Sequence, residues 1–516
     1  MAHEDPDSFP ASAHARLWLR FVAAAVVVIV LTAGATATAG LLNVQSFVDD
    51  LKAGGTIRDA EDAITRAEAG APRTILLIGS DHRFGDDRTN ARSDTMLLIR
   101  IDPDAAATTV LSIPRDLRVD FRTRDGLVHA GRKINETYTL GGEALTARTI
   151  TDTFGIEINH IANVNFRGFR EAIDAIGCVY VDVDRRYYHS NVGVAPINQY
   201  AEIDIMPGYQ MMCGQRALDY VRYRHLDNDL VRGARQQEFL RQLRSQYDAR
   251  DFIDDPHRLT RVIGRRMQTD KGLQSVQALI DFGKLVAFSA SRPIQQIALT
   301  PTYTRDSVGA SYVEAGPQEI ARVRRAFLEP EAAPAPPRRD GGRGGRRGGG
   351  GGGRGGGQAA APSGLYELPQ AGKDQAIQLG ATRIPVYYPR LLPSAEGYMQ
   401  AVTEGGYPLK YRTRTPAGMR QGYRLVVDVS TAAHPGNYVG IQGLAWTRPP
   451  ILSNPSSDHR TIGGKKLDLY YDGKRLRIVA WRTPRAVYWI SNTLEKRLTN
   501  EQMLGVAGSL TRLGGR

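Results

Sequence analysis

Aspartate and arginine recur in this chain where a buried strand begins or gives out. Gly79-Ser80-Asp81-His82-Arg83 directly follows the apolar run Thr74-Ile75-Leu76-Leu77-Ile78. Arg92-Ser93-Asp94-Thr95 opens the next apolar run, and Ser112-Ile113-Pro114-Arg115-Asp116 ends a third. Loops at strand ends are where α/β folds bind ligands. Carboxylates beside arginines in such loops suit a polyanion held with a divalent cation. Mg²⁺ takes one or two carboxylates and completes its shell with phosphate oxygens and water. Asp81 and Asp94 are the candidate ligands. Either aspartate alone would read as a cap, a turn residue or a surface ion pair. The conjunction of three loops gives the pattern its meaning.

A second cluster lies further on. Ala217 to Arg224 reads as a strand or extended segment, which would put Arg222 and Arg224 on one face and Val221 and Tyr223 on the other. Leu230 to Tyr247 reads as a helix, on which Arg232 and Gln236, four apart, share a face. The planar fork of arginine suits bidentate contact with phosphate. These four side chains could grip a pyrophosphate from two sides. A solvated basic surface, with Asp227 and Asp229 as counter-charges, accounts for the same residues equally well.

The elements that would position these groups are legible. Thr74 to Gly79 reads as a strand buried on both faces, Thr95 to Ile101 and Thr108 to Ile113 as its neighbours, and Cys178 to Val183 as another strand. Helical patterns cover Gly142 to Phe154, Phe166 to Ile176 and parts of Asp251 to Leu285. This order implies an α/β layered domain over residues 73–328. Residues 329–363 form a Pro/Gly/Arg-rich linker, whose composition cannot bury enough apolar surface to offset its ordering entropy. An Arg/Gly tract can also bind RNA, a role that export would remove. Residues 364–516 read as a separate small α+β module. Its strands are expected at Tyr423–Val429, Lys466–Tyr471, Leu476–Trp481 and Ala486–Ser491, with a terminal helix at Asn500–Leu513. Its aromatics, Tyr438, Trp446, Tyr470, Trp481, Tyr488 and Trp489, read as core.

Phe21 to Leu42 is apolar enough, at roughly 33 Å of helix, to cross a bilayer. Arg16 and Arg20 before it and Asp49 and Asp50 after it predict a cytoplasmic tail at 1–20, an anchor at 21–42, a stalk at 43–72 and an extracytoplasmic remainder. A cleaved signal peptide is the alternative, because Ala35-Thr36-Ala37 imitates a cleavage site. The two cysteines, Cys178 and Cys213, suggest one disulfide in an exported chain. Two buried thiols are the other reading. The formal net charge of +13 favours polyanionic partners such as nucleic acid, anionic lipid or phosphorylated polymer.

Six segments in order resemble the signature blocks of the LytR-CpsA-Psr family. They are Gly79-Ser80-Asp81, Arg92-Ser93-Asp94-Thr95, Ser112-Ile113-Pro114-Arg115-Asp116, Lys133-Ile134-Asn135-Glu136, Tyr220-Val221-Arg222-Tyr223-Arg224-His225 and Arg232-Gly233-Ala234-Arg235-Gln236-Gln237. The resemblance covers about Arg73 to Arg244. It implies an α/β/α sandwich that holds a polyprenyl phosphate or pyrophosphate in an apolar tunnel, with the head group in an arginine-lined pocket. Asp81 and Asp94 look like the acids of a Mg²⁺ (or Mn²⁺) site, and with Arg92 they form the catalytic set. Arg92, Arg115, Arg222, Arg224, Arg232 and Gln236 look like head-group ligands. His82 and Ile158-Asn159-His160 depart from common versions and remove no ligand.

The implied activity is a phosphotransferase that moves a glycopolymer from a polyprenyl-pyrophosphate carrier to peptidoglycan and releases polyprenyl phosphate. Its partners are that donor, peptidoglycan and the membrane, with no nucleic acid. A prenyl-pyrophosphate hydrolase and a non-catalytic lipid- or polymer-binding protein are the rivals. A membrane-bound transcription regulator would need a cytoplasmic DNA-binding module, and residues 1–20 are too short for a helix-turn-helix. The C-terminal module is similar to an extension in some actinobacterial relatives.

Overall fold

A computed structural model describes residues 45–68, 70–80, 93–195, 199, 201–223, 228–247, 264–289, 292–307, 309–331, 362–394, 409–431 and 434–514. The expected tail and anchor at 1–42, and nearly all of the linker, lie outside them. No described helix is long and apolar enough to cross a membrane.

The first module is built on a mixed six-stranded sheet. Its strands are β1 (Arg73–Ser80), β2 (Ser93–Ile101), β3 (Thr108–Ser112), β4 (His160–Asn165), β7 (Met267–Thr269) and β8 (Ile294–Ile297). β5 (Val179–Val183) and β6 (Gly208–Met212) form a separate antiparallel ribbon. The sheet order is β7-β4-β1-β2-β3-β8, so β1 lies centrally, parallel to β4 and antiparallel to β2. The alternation in β1 buries Leu76 and Ile78 completely on one face and leaves the other face half-covered.

Helices cover both faces of the sheet. On one side, α1 (Glu136–Phe154) and α6 (Pro317–Leu328) pack Leu145, Ile150, Val323 and Phe327 onto Leu76, Ile78, Met96, Leu98 and Leu111. Thr109 donates to the Phe327 carbonyl on that side. Ser112 has the opposite parity in β3 and meets α4 (Asp229–Gln246) on the other face. There α2 (Phe166–Ile176), α3 (Gly214–Arg222) and α4 share an apolar cluster with the ribbon, and α5 (Val276–Ser289) touches β2. The layering is the expected α/β/α sandwich. Helix ends are specified locally: Asn165 caps α2 by accepting from Gly168 N–H, Gly177 ends it at φ 99°, and Asn228 caps α4 by accepting from Val231 N–H.

One expected strand is a helix. Ala217 to Arg222 belongs to α3, with Tyr223 as its C-cap. The alternation of Leu218 with Tyr220 and of Val221 with Tyr223 imitates a strand. The spacings that prevail are helical: Gln215 donates to Asp219 four residues on, and Asp219 pairs with Arg222 three residues on. Cys178 and Cys213 are joined, Cα to Cα 4.4 Å, which ties the entry of β5 to the N-cap of α3.

The C-terminal module is more sheet-rich than expected. Its strands β9 (Leu409–Thr415), β10 (Gly418–Asp428), β11 (Tyr438–Leu444), β12 (Asp458–Ile462), β13 (Lys465–Asp472), β14 (Arg475–Arg482) and β15 (Val487–Ser491) form one antiparallel sheet in the order β9-β10-β11-β15-β14-β13-β12. Two helices, α7 (Pro369–Gln378) and α8 (Asn500–Gly508), contribute Ala376, Met503, Val506 and Ala507 to its core. α8 ends earlier than expected, and Leu510–Arg512 continues as a short strand. Five of the six expected core aromatics, Tyr438, Tyr470, Trp481, Tyr488 and Trp489, are buried, whereas Trp446 is half-buried against Tyr180 and Tyr209 of the first module.

The two modules are not separate bodies on a string. Tyr209 of β6 is fully buried among Tyr411, Ile451, Tyr470 and Trp489, and its hydroxyl accepts from Ile451 N–H at 3.0 Å. Asp182 of β5 accepts from Arg424 at 2.6 Å, Gln442 at 2.5 Å, Ser491 at 2.5 Å and Trp489 at 3.3 Å. Glu238 and Arg241 of α4 pair across the joint with Arg477 and Asp472 at 3.1 and 2.6 Å. A buried carboxylate with several donors on it sets the docking geometry as well as the contact.

Candidate functional site

The site gathers at one end of β1, β2 and β3. Ser80, the last residue of β1, immediately precedes Asp81. The antiparallel register of β1 and β2 pairs Gly79 with Thr95 and Ser80 with Ser93, which leaves Asp94 as the extra residue of a β-bulge. Bulges beside sites re-aim a side chain and end regular pairing. Of the two expected acids, one thus follows the end of β1 in the sequence and the other is the bulge residue of β2.

Around the end of β3, Leu117 N–H donates to the Pro114 carbonyl and Asn135 N–H to the Arg115 carbonyl. Lys133 pairs with Asp116 at 2.8 Å. The Ser112–Asp116 and Lys133–Glu136 blocks thus clamp each other. Helix α4 closes over them. A Cβ on Gly233 would lie 2.4 Å from Ser112 Oγ, so only glycine lets this helix approach so near. A Cβ on Gly79 would lie 3.0 Å from Thr95 Cβ, and Thr95 Oγ1 accepts from Gln236 Nε2 at 2.8 Å. Gln236 also donates to the Val221 carbonyl at 3.1 Å, which joins α4 to α3.

The electrostatic centre is Asp229, in the first turn of α4. Arg232 Nη2 lies 3.0 Å from Asp229 Oδ1, and Arg115 Nε lies 3.8 Å from Asp229 Oδ2. All three side chains are at most 11% exposed. Arg232 pairs directly with Asp229, while Arg115 Nε stands 3.8 Å from both Asp229 and Asp116, so two arginines gather here as they would around a phosphate.

The sequence profile of the LytR_cpsA_psr family matches residues 43–327, more than half of the chain. The chain belongs to this family. Two teichoic acid transferases named TagU are among its relatives. The one from Oceanobacillus iheyensis is 31% identical over 40% of this chain and 61% of its own length. The one from Halalkalibacterium halodurans is 29% identical over 52% of this chain and 83% of its own length. Both carry the name polyisoprenyl-teichoic acid–peptidoglycan teichoic acid transferase. Among solved structures, Bacillus subtilis TagV matches at 23% identity and a TM-score of 0.40, over 51% of this chain and 97% of that one.

Within the LytR_cpsA_psr domain, the expected site residues divide into three groups. Arg115, Arg232 and Gln236 come together around Asp229 and Thr95. Arg222 sits at the last turn of α3, where Nε and Nη2 both donate to Asp219 Oδ1 at 3.1 and 2.8 Å, over the Phe166 ring. It points from a helix terminus to Asp219 and Phe166, and the segment up to Arg222 is a helix, not the expected strand. Asp81, Arg92 and Arg224 lie outside the described residues, as does the side chain of Asp94.

Sequence reasoning treats Asp229 as a counter-charge to a solvated surface and misses its place at the buried centre. It also misses a polar network beneath the strand ends. Ser80 Oγ donates to Asn163 Oδ1 at 2.9 Å, and Asn163 Nδ2 donates to Tyr138 and Glu143 at 2.8 and 2.7 Å. Ser80, Tyr138, Glu143 and Asn163 are all buried. Asn163 inside the apolar run His160-Ile161-Ala162-Asn163-Val164 is the available signal, because a polar side chain in a buried strand needs a partner.

Proposed function

We propose that this protein transfers a glycopolymer from a polyprenyl-pyrophosphate carrier to peptidoglycan and releases polyprenyl phosphate. The observation that carries the reading is the gathering of Arg115 and Arg232 around Asp229, beside the ends of β2 and β3. The names of its TagU relatives support the substrate class.

In this mechanism the donor pyrophosphate binds beside Asp229 and takes its contacts from the guanidiniums of Arg115 and Arg232. Asp229 meanwhile holds both arginines in place, so little ordering remains when the substrate arrives. Gln236 spends both amide N–H groups on Thr95 and Val221, which locks α4 to β2 and α3 and so positions Arg232. A sugar hydroxyl of peptidoglycan attacks the sugar-linked phosphorus. A new P–O bond forms to the acceptor oxygen, the bond to the bridging oxygen breaks, and the hydroxyl proton passes to a base. Arg115, Arg232 and Arg222 stabilise the charge that moves onto the leaving prenyl phosphate. Two carboxylates are a fitting donor set for Mg²⁺ or Mn²⁺, so Asp81, next after β1 in the sequence, and Asp94, in the bulge of β2, would hold the ion, with Arg92 two residues before Asp94. When bound, the ion supplies charge neutralisation at the pyrophosphate. The chain is read as anchored by residues 21–42 with its bulk outside the membrane.

Turnover of a prenyl-pyrophosphate-linked oligosaccharide by the purified full chain, with and without peptidoglycan fragments, tests the reading. Acceptor-dependent prenyl phosphate release that Asp94→Ala and Arg232→Ala both reduce at least 100-fold is expected. Release without an acceptor would indicate a hydrolase. Tight binding without turnover, unchanged by Asp94→Ala, would indicate a binding protein.

A further inference from the structure

The C-terminal module carries a cationic groove on the side of its sheet that turns away from the joint. Strand β9 alternates strictly. Tyr411, Thr413 and Thr415 are buried, whereas Lys410, Arg412 and Arg414 are exposed. Tyr411 seals inward: its ring lies against the backbone of Gly208 in the first module, and its hydroxyl donates to Gln442 at 3.1 Å. Residues two apart on one strand face stand about 6.7 Å apart. Lys410, Arg412 and Arg414 therefore form a regular row of positive charges facing outward.

The neighbouring strand completes the groove. Gln421 is the cross-strand partner of Arg412, and Met419 that of Arg414. Gln421 Oε1 accepts from Arg383 N–H at 2.9 Å, which brings the exposed Arg383 to the same side. Arg383, Lys410, Arg412, Met419 and Gln421 line a concavity of ≈ 340 Å³. Among the described residues, none of Arg383, Lys410, Arg412 and Arg414 has an ion pair with a carboxylate; Lys410 makes only a long contact to the Ala381 carbonyl at 3.4 Å. In this module the exposed Arg460 and Lys474 find acidic partners, whereas Arg475, Arg497 and Arg512 find none among the described residues, so the groove is set apart by the close spacing of its charges. Four like charges left without a counter-ion repel one another, and that repulsion is relieved when an anion binds.

We propose that the β9–β10 hairpin and Arg383 form a second binding site, which holds an anionic phosphodiester polymer chain during transfer. The charge row is linear and evenly spaced, which fits an extended chain with a repeating negative charge. The groove is concave, which fits a chain better than a flat lipid surface. Met419, 52% exposed at its rim, offers an adaptable apolar contact for the sugar or polyol between phosphates. The proposal rests on the reading of the protein as a polymer transferase in one respect, that the polymer is the anion. In that reading the C-terminal module retains the growing or incoming chain while the first module acts on the pyrophosphate.

Binding of inorganic polyphosphate by the full chain tests this without any transfer, so it stands or falls apart from the catalytic reading. The groove variant Arg383→Ser/Lys410→Ser/Arg412→Ser is compared with an equal-charge control, Arg475→Ser/Arg497→Ser/Arg512→Ser, at exposed positions away from the groove. All six positions are exposed, and thermal unfolding verifies that both variants fold. The groove variant is expected to bind at least tenfold more weakly, and the slope of log affinity against log salt should fall by about 2. The control should lose less than threefold. Equal losses in both variants, or no loss in the groove variant, would overturn the site. Vesicles containing anionic lipid form the second arm. A groove variant that loses vesicle binding while keeping polyphosphate affinity would assign the patch to the membrane and overturn the polymer proposal.

Discussion

Arg241, on the helix that carries Arg232 and Gln236, donates to Asp472 of the C-terminal module at 2.6 Å. Both side chains are buried, and Lys496 pairs with the same carboxylate at 2.5 Å. The helix that carries Asp229, Arg232 and Gln236 is thus held from behind by the second module. Removing one partner of a buried pair leaves the others uncompensated, at a typical cost of about 3–5 kcal/mol. Asp472→Ala is expected to destabilise the whole chain by that amount in a denaturant titration. Both modules should unfold in one transition in the parent, and a stable first module with an unfolded second one would contradict the coupling.

The same carboxylate predicts an acid response. Burial alone would push Asp472 up, but Arg241 and Lys496 beside it outweigh burial and hold it down at about 2. A depressed folded-state pKa stabilises the fold above the unfolded value of 3.8 and ceases to do so as pH falls towards 2. Unfolding free energy measured between pH 5 and 2 should decline across this window. Asp472→Asn should start lower and lose less over the same range. Parallel profiles for the two proteins would exclude Asp472 as the source.

Gly233→Ala puts a methyl 2.4 Å from Ser112 Oγ, so α4 must move away from the end of β3. Overpacking of this kind costs about 1–3 kcal/mol. The displacement also shifts Arg232 and Gln236. Turnover should fall at least tenfold while the thermal midpoint drops by only a few degrees. A variant that loses stability and keeps full turnover would show that the closeness of α4 is structural alone.

Arg232→Ala leaves Asp229 facing Arg115 with one cation in place of two. Affinity for a prenyl pyrophosphate should fall at least 30-fold, in line with about 2 kcal/mol for a charge-assisted contact. The double variant with Asp229→Asn should recover part of the stability but none of the affinity. Independent, additive effects would contradict the triad as a unit.

Reducing the Cys178–Cys213 bond, or replacing both residues with serine, should cost roughly 3–4 kcal/mol in the chain-entropy model for a loop of this length. Differential denaturant titrations with and without reductant would measure it.

Much of the first module was legible because its patterns are local. The apolar runs of β1, β2 and β3 and the period of α2 needed no distant partner, and α2 spans Phe166–Ile176 as the sequence indicates. The Ala217–Arg222 segment misleads because its apolar residues satisfy both periods. Only side-chain pairs such as Gln215 with Asp219 favour the helix, and they are weak signals in sequence. Asp229 reads as a surface counter-charge because burial is a tertiary property, supplied here by Arg115 from more than a hundred residues earlier in the chain. The joint between modules was illegible for the same reason. Asp182, Glu238 and Asp472 look like ordinary polar residues at a strand, a helix and a hairpin turn until their partners across the joint are seen.

The most direct measurement is the fate of the donor's phosphorus. The purified full chain would be given a prenyl-pyrophosphate-linked oligosaccharide labelled with ¹⁸O at the sugar-linked phosphate, together with peptidoglycan fragments, and the products would be weighed by mass spectrometry. Attack at the sugar-linked phosphorus predicts an acceptor that gains the oligosaccharide and one labelled phosphate, with unlabelled prenyl phosphate in equal amount. A free labelled sugar phosphate, formed at the same rate whether or not acceptor is present, would contradict it.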